Sequence, residues 1–258
     1  MNMKKVPAAF LQRLPKADLH VHLDGSLRLS TLIELAKKEG VELPSYTQEG
    51  MRRLVYKDKY ASLVEYLKGF SYTGAVMQNA ENIERIAYEL GQDAIAEGVR
   101  YLEVRFAPQL HANDKLSAQD SVRAVARGLA RAQREHNLSK EVKNGKDLEF
   151  HYGIIACAMR NFNAFMSPYY GVLMKALAQS SKTEIFNIAS LELAKMVVRL
   201  VKEEKLPIVG FDLAGEEAGY PASDHVEAYR YVHKYFMRKT VHSGEAYGPE
   251  SIFQAITD

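Results

Sequence analysis

The sequence predicts an α/β fold of parallel β/α units, in a single domain that spans residues 1–258. Short apolar runs rich in Val and Ile alternate with long amphipathic segments, which is the pattern of strands followed by helices. Several of these runs are apolar nearly throughout, as strands covered on both faces are. With 258 residues, of which 47% are hydrophobic, the chain can bury a sizeable core.

Each predicted element follows from its local pattern. The predicted strands are residues 17–23, 99–106, 148–155, 208–213 and 239–242. The predicted helices place apolar residues at helical spacing over residues 31–38, 82–97, 118–135, 185–204 and 226–237. Thr31 opens the first helix with a Thr-x-x-Glu capping box, Gly40 ends it, and Ser117 is a plausible N-cap for the third.

A mostly helical insertion, residues 45–77, separates the first two predicted strands. Its apolar and aromatic positions include Leu63, Tyr66, Leu67 and Phe70. The simplest interpretation is a packing face. Segments inserted after a barrel strand can also cover a site, so a lid is the functional alternative.

Two histidines at the end of the first predicted strand carry the strongest chemical signal. His20 and His22 are two residues apart, so a strand would point both imidazoles to one face. Asp24 and Gly25 then provide a turn. Because neutral imidazole nitrogen suits zinc, the pair predicts half of a zinc site, although two partly exposed strand histidines would explain the motif alone.

A second histidine motif, near the end of the chain, could complete the site that the first motif begins. His242 follows a short β-branched segment and could supply a third nitrogen ligand, which leaves Glu245 free as a proton carrier. The alternative is a purely structural role, in which this segment is a helix N-terminus with Ser243 as its cap. Residues 212–217 follow the fourth predicted strand, so all these groups lie at the carboxyl ends of strands, where (β/α)8 barrels carry their active sites.

Composition excludes several classes of function. The formal net charge of +2 gives no strong attraction to nucleic acid or to a membrane surface, and we expect neither as a partner. No segment approaches the length of a membrane span. Cys157 is the single cysteine, so no intrachain disulfide can form, and a reducing, cytoplasmic location is the default expectation.

Four stretches together resemble the adenosine deaminase family. They are residues 17–25 (ADLHVHLDG), 101–108 (YLEVRFAP), 210–217 (GFDLAGEE) and 241–245 (VHSGE). The resemblance runs from about Lys16 to the last residue. It implies a zinc-dependent (β/α)8 TIM barrel that hydrolyses adenosine, and 2′-deoxyadenosine, to inosine and ammonia in purine salvage.

The resemblance also implies roles for individual residues. It makes His20, His22 and His242 the ligands of one Zn²⁺ ion, and it has Glu245 protonate N1 of the purine while an activated water attacks C6. For the nucleoside, it implies that the backbone N–H of Gly215 donates to purine N3 and that His22 and Asp24 lie near the substrate. The same resemblance matches Leu63, Tyr66, Leu67 and Phe70 to an apolar lid over the pocket.

Two parts of the family pattern have no counterpart in these residues. One is a strand with a second catalytic histidine, and the other is a last strand with a zinc-binding Asp and an adjacent Asp that contacts purine N7. We count five predicted strands, whereas a barrel of this kind closes with eight. We therefore expect a chain truncated at its carboxyl end, with the missing part of the barrel as its partner.

Three alternatives remain open. A PHP-type metal phosphoesterase also begins with an Asp-Leu-His-x-His strand and could use His111 and His151, but it leaves the motifs after the fourth and fifth strands unexplained. AMP deaminase and adenine deaminase are nearer relatives, and residues 212–215 favour the nucleoside enzyme. A non-catalytic zinc- or purine-binding remnant is the third. Of the remaining histidines, His225 and His233 are predicted to lie on a surface face.

Overall fold

A five-stranded parallel sheet in the order β1-β2-β3-β4-β5 forms the centre of the structure, a computed structural model that describes residues 6–257. The strands are β1 (Lys16–His22), β2 (Val99–Phe106), β3 (His151–Met159), β4 (Ile208–Ala214) and β5 (Arg238–Lys239). Neighbours in sequence are neighbours in space, which is the arrangement of successive β/α units. The predicted α/β class is thus confirmed.

Helices connect the strands and cover one face of the sheet. Before β2 they are α1 (Ala8–Arg13), α2 (Leu29–Glu39), α3 (Gln48–Leu54), α4 (Leu63–Leu67), α5 (Gly69–Val76) and α6 (Ala80–Ala96). After β2 they are α7 (Ala118–Asn137), α8 (Lys140–Lys143), α9 (Pro168–Ala176), α10 (Lys182–Glu204), α11 (Val226–Lys234) and α12 (Pro249–Thr257). Short 3-10 turns, Pro108–Leu110 and Ala222–His225, follow β2 and precede α11.

The core lies between the sheet and the helices that connect its strands. Leu102 on β2, Ile154 on β3 and Phe211 on β4 are almost completely buried, as are Ile86 on α6 and Val197 on α10. Burying a Leu, Ile, Val or Phe side chain of this kind contributes roughly 1.5–3 kcal/mol to folding. This packing fixes the directions of the strands and therefore the positions of the groups at their carboxyl ends.

Helix α2, the first helix that the sequence predicted, begins before its predicted start. Arg28 is the residue before α2, and Thr31 lies inside the helix, where its hydroxyl donates to the Glu89 carboxylate at 2.6 Å. The predicted capping box is therefore wrong, because a partner on α6 takes the Thr31 side chain. Gly40 ends the helix with φ of 70°, and Ser117 caps α7 by accepting from the Asp120 N–H, both as predicted.

Two strands, β3 and β5, differ from their predicted bounds by more than one residue. β3 is displaced toward its carboxyl end, because Leu148 is exposed while the small residues Ala156 to Ala158 fit the buried centre of the sheet. β5 is only two residues long, yet the Thr240 N–H donates to the Phe211 carbonyl and the His242 N–H to the Leu213 carbonyl. The ladder to β4 thus continues to His242, which fixes its backbone.

No helix within residues 6–257 is both long enough and apolar enough to cross a membrane. Helices α3, α4 and α5 form the insertion between β1 and β2 that the sequence predicted.

Candidate metal centre and active site

Three imidazoles converge at the carboxyl ends of β1 and β5. The candidate ligand atoms of His20, His22 and His242 all lie within 4.8 Å of one another. Nε2 of His22 is 2.9 Å from Nε2 of His242, and the ring of His20 lies 4.7 Å, centroid to centroid, from that of His242. Residues 220 positions apart in sequence are thereby brought into one cluster, as their motifs predicted.

The backbone holds each histidine in place. His20 and His22 end β1 on the same face, and the His20 N–H donates to the Asp18 carboxylate at 3.1 Å. The His22 carbonyl accepts from the Ser26 hydroxyl at 2.6 Å, which closes the turn after the strand. The site is therefore anchored by a strand end and its turn, not by a free loop.

The electrostatics favour neutral imidazoles at His20 and His22. Burial, together with the charges of His242, His20 and Arg105, lowers the pKa of His22 to about 4. Burial and the charge of Arg105 also lower the pKa of His20. Neutral rings with available nitrogens are the form that metal ligation requires.

The donor set fits a small divalent cation that prefers nitrogen. Ligands around tetrahedral zinc at about 2.1 Å lie about 3.4 Å apart. Without an ion the two Nε2 atoms are 2.9 Å apart, so a shift of a few tenths of an ångström would admit one. Among the described residues, His20, His22 and His242 are the group of metal-binding side chains with this geometry.

Asp212, on β4, fixes the orientation of His242. Its Oδ2 lies 3.0 Å from Nδ1 of His242 and accepts from Nη1 of Arg105 at 2.9 Å, and Arg105 also donates to the Leu19 carbonyl. Burial opposes ionisation, but His242 and Arg105 together hold the pKa of Asp212 well below its usual range. A carboxylate behind a metal-binding imidazole orients the ring and raises its basicity.

Asp24 lies beside the cluster with an unused acceptor. Its carboxyl is almost fully buried, and Oδ1 lies 3.9 Å from Nδ1 of His22. That oxygen has no hydrogen-bond partner among residues 6–257. Burial raises the pKa of Asp24 to about 6, against the opposing effect of nearby backbone N–H groups. Burying a carboxyl without a hydrogen-bond partner costs free energy, so this position suits a polar group of a ligand.

Gly215 directly follows β4 at the same edge of the sheet. Its φ of 109° is a conformation open mainly to glycine, and a Cβ there would lie 3.1 Å from the Met159 side chain. The backbone can therefore approach a flat ligand closely at this point.

Glu245 lies in the segment between His242 and α12 and is exposed. Its charge acts on His20, raising the pKa of that imidazole against the larger lowering effects. The alternative of a helix beginning at Ser243 is wrong, since α12 begins at Pro249 and Ser243 instead contacts Ser251. Glu217 accepts from the N–H groups of Gly244 and Ala246, on either side of Glu245.

The aromatic part of the insertion reaches the histidines. The Phe70 ring lies 6.2 Å from that of His22 in an edge-on arrangement, and the Tyr66 ring lies 5.5 Å from that of Phe70. Leu63 and Leu67 are partly buried on α4, the short helix that also carries Tyr66, and no residue of α4 is fully buried. This face therefore lies beside the site rather than inside the core.

Other histidines lie away from the cluster. His111 is fully buried and stacks on Phe106, and His151 lies exposed at the amino end of β3, opposite to the site. His225 is buried with Nε2 3.2 Å from the Arg160 carbonyl, so its predicted surface position is wrong; the 3-10 turn before α11 directs it inward. His233 is exposed as predicted.

Sequence reasoning missed the residues that hold the site together: Arg105, Arg160, Asp212 and Glu217. Three of them lay within the recognised motifs, Arg105 in residues 101–108 and Asp212 and Glu217 in residues 210–217, but their partners are distant in sequence. Arg160 ends β3, is fully buried, and donates to the carbonyls of Tyr220 and His242. A charged residue directly after an apolar strand was the available signal.

The fold and the histidine cluster define a protein of the β/α-barrel class with a candidate metal site. The sequence model of the adenosine deaminase family matches residues 15–258. The chain belongs to the adenosine deaminase family, whose members are hydrolases.

Curated relatives agree with this family membership. The chain is 37% identical over 245 residues to a probable adenosine deaminase of Dictyostelium discoideum, covering 95% of this chain and 27% of that protein. It is 36% identical over 248 residues to an adenosine deaminase of Mycolicibacterium vanbaalenii, covering 95% and 59%. The chain thus spans less than two thirds of the length of these relatives.

Solved structures show the same fold. An N6-mAMP deaminase of Arabidopsis superposes with a TM-score of 0.70 at 24% identity, over 95% of this chain and 63% of that one. An amidohydrolase of Burkholderia ambifaria with bound zinc superposes with a TM-score of 0.72 at 18% identity, over 99% and 60%. The predicted barrel class is confirmed, with five strands present in the described residues.

Proposed function

We propose that this protein catalyses zinc-dependent hydrolytic deamination of adenosine, and of 2′-deoxyadenosine, to inosine and ammonia in purine salvage. The observation that carries the proposal is the convergence of His20, His22 and His242 at the strand ends of a chain in the adenosine deaminase family. The carboxylate of Glu245 lies in the same segment as His242, where a proton carrier is needed.

In this proposal His20, His22 and His242 hold one zinc ion, and Asp212 orients His242 from behind. When bound, zinc lowers the pKa of water to about 7 and so supplies a nucleophile at neutral pH. The zinc-bound amidohydrolase of the same fold supports this choice of metal.

The chain's own residues would bind and activate the purine. Glu245 delivers a proton to N1, which makes C6 electrophilic; the water oxygen then forms a bond to C6, and the bond from C6 to the amino nitrogen breaks. Of the water's two protons, one leaves with the amino group as ammonia and the other returns to Glu245. The backbone N–H of Gly215 donates to N3, and the free oxygen of Asp24 accepts a ribose hydroxyl beside His22. Leu63, Tyr66, Leu67 and Phe70 form a lid that excludes water, for which the contact of Phe70 with His22 is the support.

Family membership disfavours the phosphoesterase alternative, and the positions of His111 and His151 give it no second ligand set. The nearer competitors are enzymes for adenine or for AMP derivatives, since an adenine deaminase of Arthrobacter aurescens and the Arabidopsis N6-mAMP deaminase share the fold. Residues 212–215 favour the nucleoside.

Turnover of adenosine, adenine and AMP by the zinc-supplied 258-residue chain tests the proposal. We expect adenosine, followed by the ultraviolet change to inosine, to be turned over faster than adenine or AMP. Dominant AMP or adenine turnover would contradict the substrate assignment. Zinc and purine binding without any turnover would favour the non-catalytic alternative.

The expected partner, a further part of the barrel, stays a prediction. Large apolar side chains at both edges of the sheet support it, because contiguous exposed apolar surface is typical of contact sites. Leu19 on β1 is 54% exposed, Phe236 before β5 is 95% exposed, and Phe253 on α12 is 68% exposed. A cytoplasmic location also stays a prediction.

A further inference from the structure

Glu217 is a buried carboxylate that binds the segment carrying Glu245. Its Oε1 accepts from the Gly244 N–H at 2.6 Å and from the Ser251 hydroxyl. Its Oε2 accepts from the N–H groups of Ala246 at 2.6 Å and Tyr247 at 3.1 Å. One side chain therefore engages the backbone immediately before and immediately after Glu245.

The segment needs this support because it has no regular structure of its own. Residues 240–248 form neither helix nor strand, and the ladder to β4 ends with the His242 N–H. Beyond that residue, the hydrogen bonds to Glu217 and the contact of Ser243 with Ser251 connect the segment to the fold. Hydrogen bonds to an ionised acceptor are about twice as strong as neutral ones.

The surroundings keep Glu217 ionised. Burial raises the pKa of its carboxyl, but the hydrogen bonds from Ser251, Ala246, Gly244 and Tyr247 outweigh that effect and lower the pKa to about 2. The charge of Glu217 acts on the buried Arg160, which also donates to the His242 carbonyl. A charged acceptor and a charged donor thus hold the two ends of the same segment.

We propose that Glu217 is a positioning residue for Glu245: it fixes the peptide groups on both sides of Glu245 and so sets the distance from that carboxylate to the histidine cluster. The role rests on the proposed function, in which Glu245 carries the proton. Glu217 lies two residues after Gly215, so the same turn that approaches the purine also determines where the proton carrier stands.

Hydrogen exchange and kinetics on three variants of the whole chain test this role. Glu217→Ala removes both acceptors, Glu217→Gln keeps one carbonyl oxygen, and Glu227→Gln is the matched control on an exposed carboxylate of α11. We expect exchange at the amides of Gly244, Ala246 and Tyr247 to be about tenfold or more faster in Glu217→Ala, and intermediate in Glu217→Gln. The β2 amides report global unfolding, so the expected effect is the acceleration at these three amides beyond any change at β2.

The kinetic expectation separates positioning from general damage. With the zinc-loaded protein, kcat for adenosine should fall about 10²-fold in Glu217→Ala with KM little changed, because a misplaced catalytic group costs about that factor. Zinc affinity should stay constant, since Leu213 and not Glu217 holds the His242 N–H. Glu217→Gln should recover part of kcat.

Unchanged exchange at the three amides, or faster exchange with unchanged kcat, would overturn the inference. Loss of β2 protection in Glu217→Ala together with full kcat in Glu217→Gln would also overturn it. If the unaltered chain shows no adenosine turnover, the proposed function alone fails, and the exchange comparison still decides whether Glu217 holds this segment.

Discussion

The carboxylate of Asp212 lies 3.0 Å from Nδ1 of His242, so the opposite nitrogen of that ring faces His22. The same carboxylate pairs with Arg105, and all three groups are buried. Burying the charges of Asp212 and Arg105 beside this imidazole costs desolvation energy, and it is tolerable only where every partner is present. Here the pair fixes the one candidate ligand that does not come from β1.

We predict that Asp212→Asn weakens zinc binding about 10–100-fold, because an amide orients the imidazole less well and does not raise its basicity. Zinc competition against a chromophoric chelator measures the effect. Asp93→Asn, which alters a half-exposed pair with Arg28, is the matched control and should bind zinc as the unaltered chain does. Equal affinity in both variants would contradict the orienting role.

Glu245→Gln should lower kcat for adenosine about 10²–10⁴-fold, the usual contribution of a general acid or base. Zinc content should not change, because Glu245 is exposed and outside the histidine cluster. The absorbance change from adenosine to inosine and a metal assay on the same sample measure the two effects. Full activity in this variant would refute the assigned role.

Gly215→Ala should destabilise the protein by about 1–3 kcal/mol, the typical cost of a sparsely populated backbone conformation. The added Cβ would also meet the Met159 side chain at 3.1 Å. Gly74→Ala is the control: Gly74 lies in α5 with nothing within 4 Å of a Cβ, so alanine there should not destabilise. Denaturant unfolding of both variants gives the comparison, and equal stability would be evidence against the strain.

Acid should weaken the protein partly through Glu217. The pKa of its carboxyl is lowered to about 2 in the folded protein, from the ordinary value of 4.5. A lowered pKa contributes stability that is present above pH 4.5 and lost as the pH falls toward 2. At about 1.4 kcal/mol per pKa unit the contribution is at most about 3 kcal/mol, and screening by solvent reduces it.

Unfolding free energies at pH 3 and pH 6 should therefore differ less in Glu217→Gln than in the unaltered chain. Arg160 faces Glu217 and stays charged over this range, so it does not reverse the sign. An identical pH dependence in the two proteins would exclude this carboxylate as a source of acid sensitivity.

The sequence allowed the prediction of the histidine cluster because its signals are local. A spacing of two on a strand places His20 and His22 on one face, and a parallel sheet brings strand ends to one edge. The lid face around Phe70 could be proposed but not located, since a helical apolar face fits a core equally well.

The contacts that support the cluster could not be predicted, because each joins residues from different strands. Arg105 meets Asp212 across β3, and Glu217 meets Gly244 after a further helix. Local patterns carry no information on such pairs. His225 shows the opposite error: its spacing from His233 suggested one surface face, but it lies before α11 begins.

A zinc titration of the purified chain tests the central claim most directly, with a triple His20→Ala, His22→Ala, His242→Ala variant as the comparison. We expect one tightly bound zinc ion per chain in the unaltered protein and none in the triple variant. Equal zinc content in the two proteins would contradict the assignment of these histidines as the metal centre.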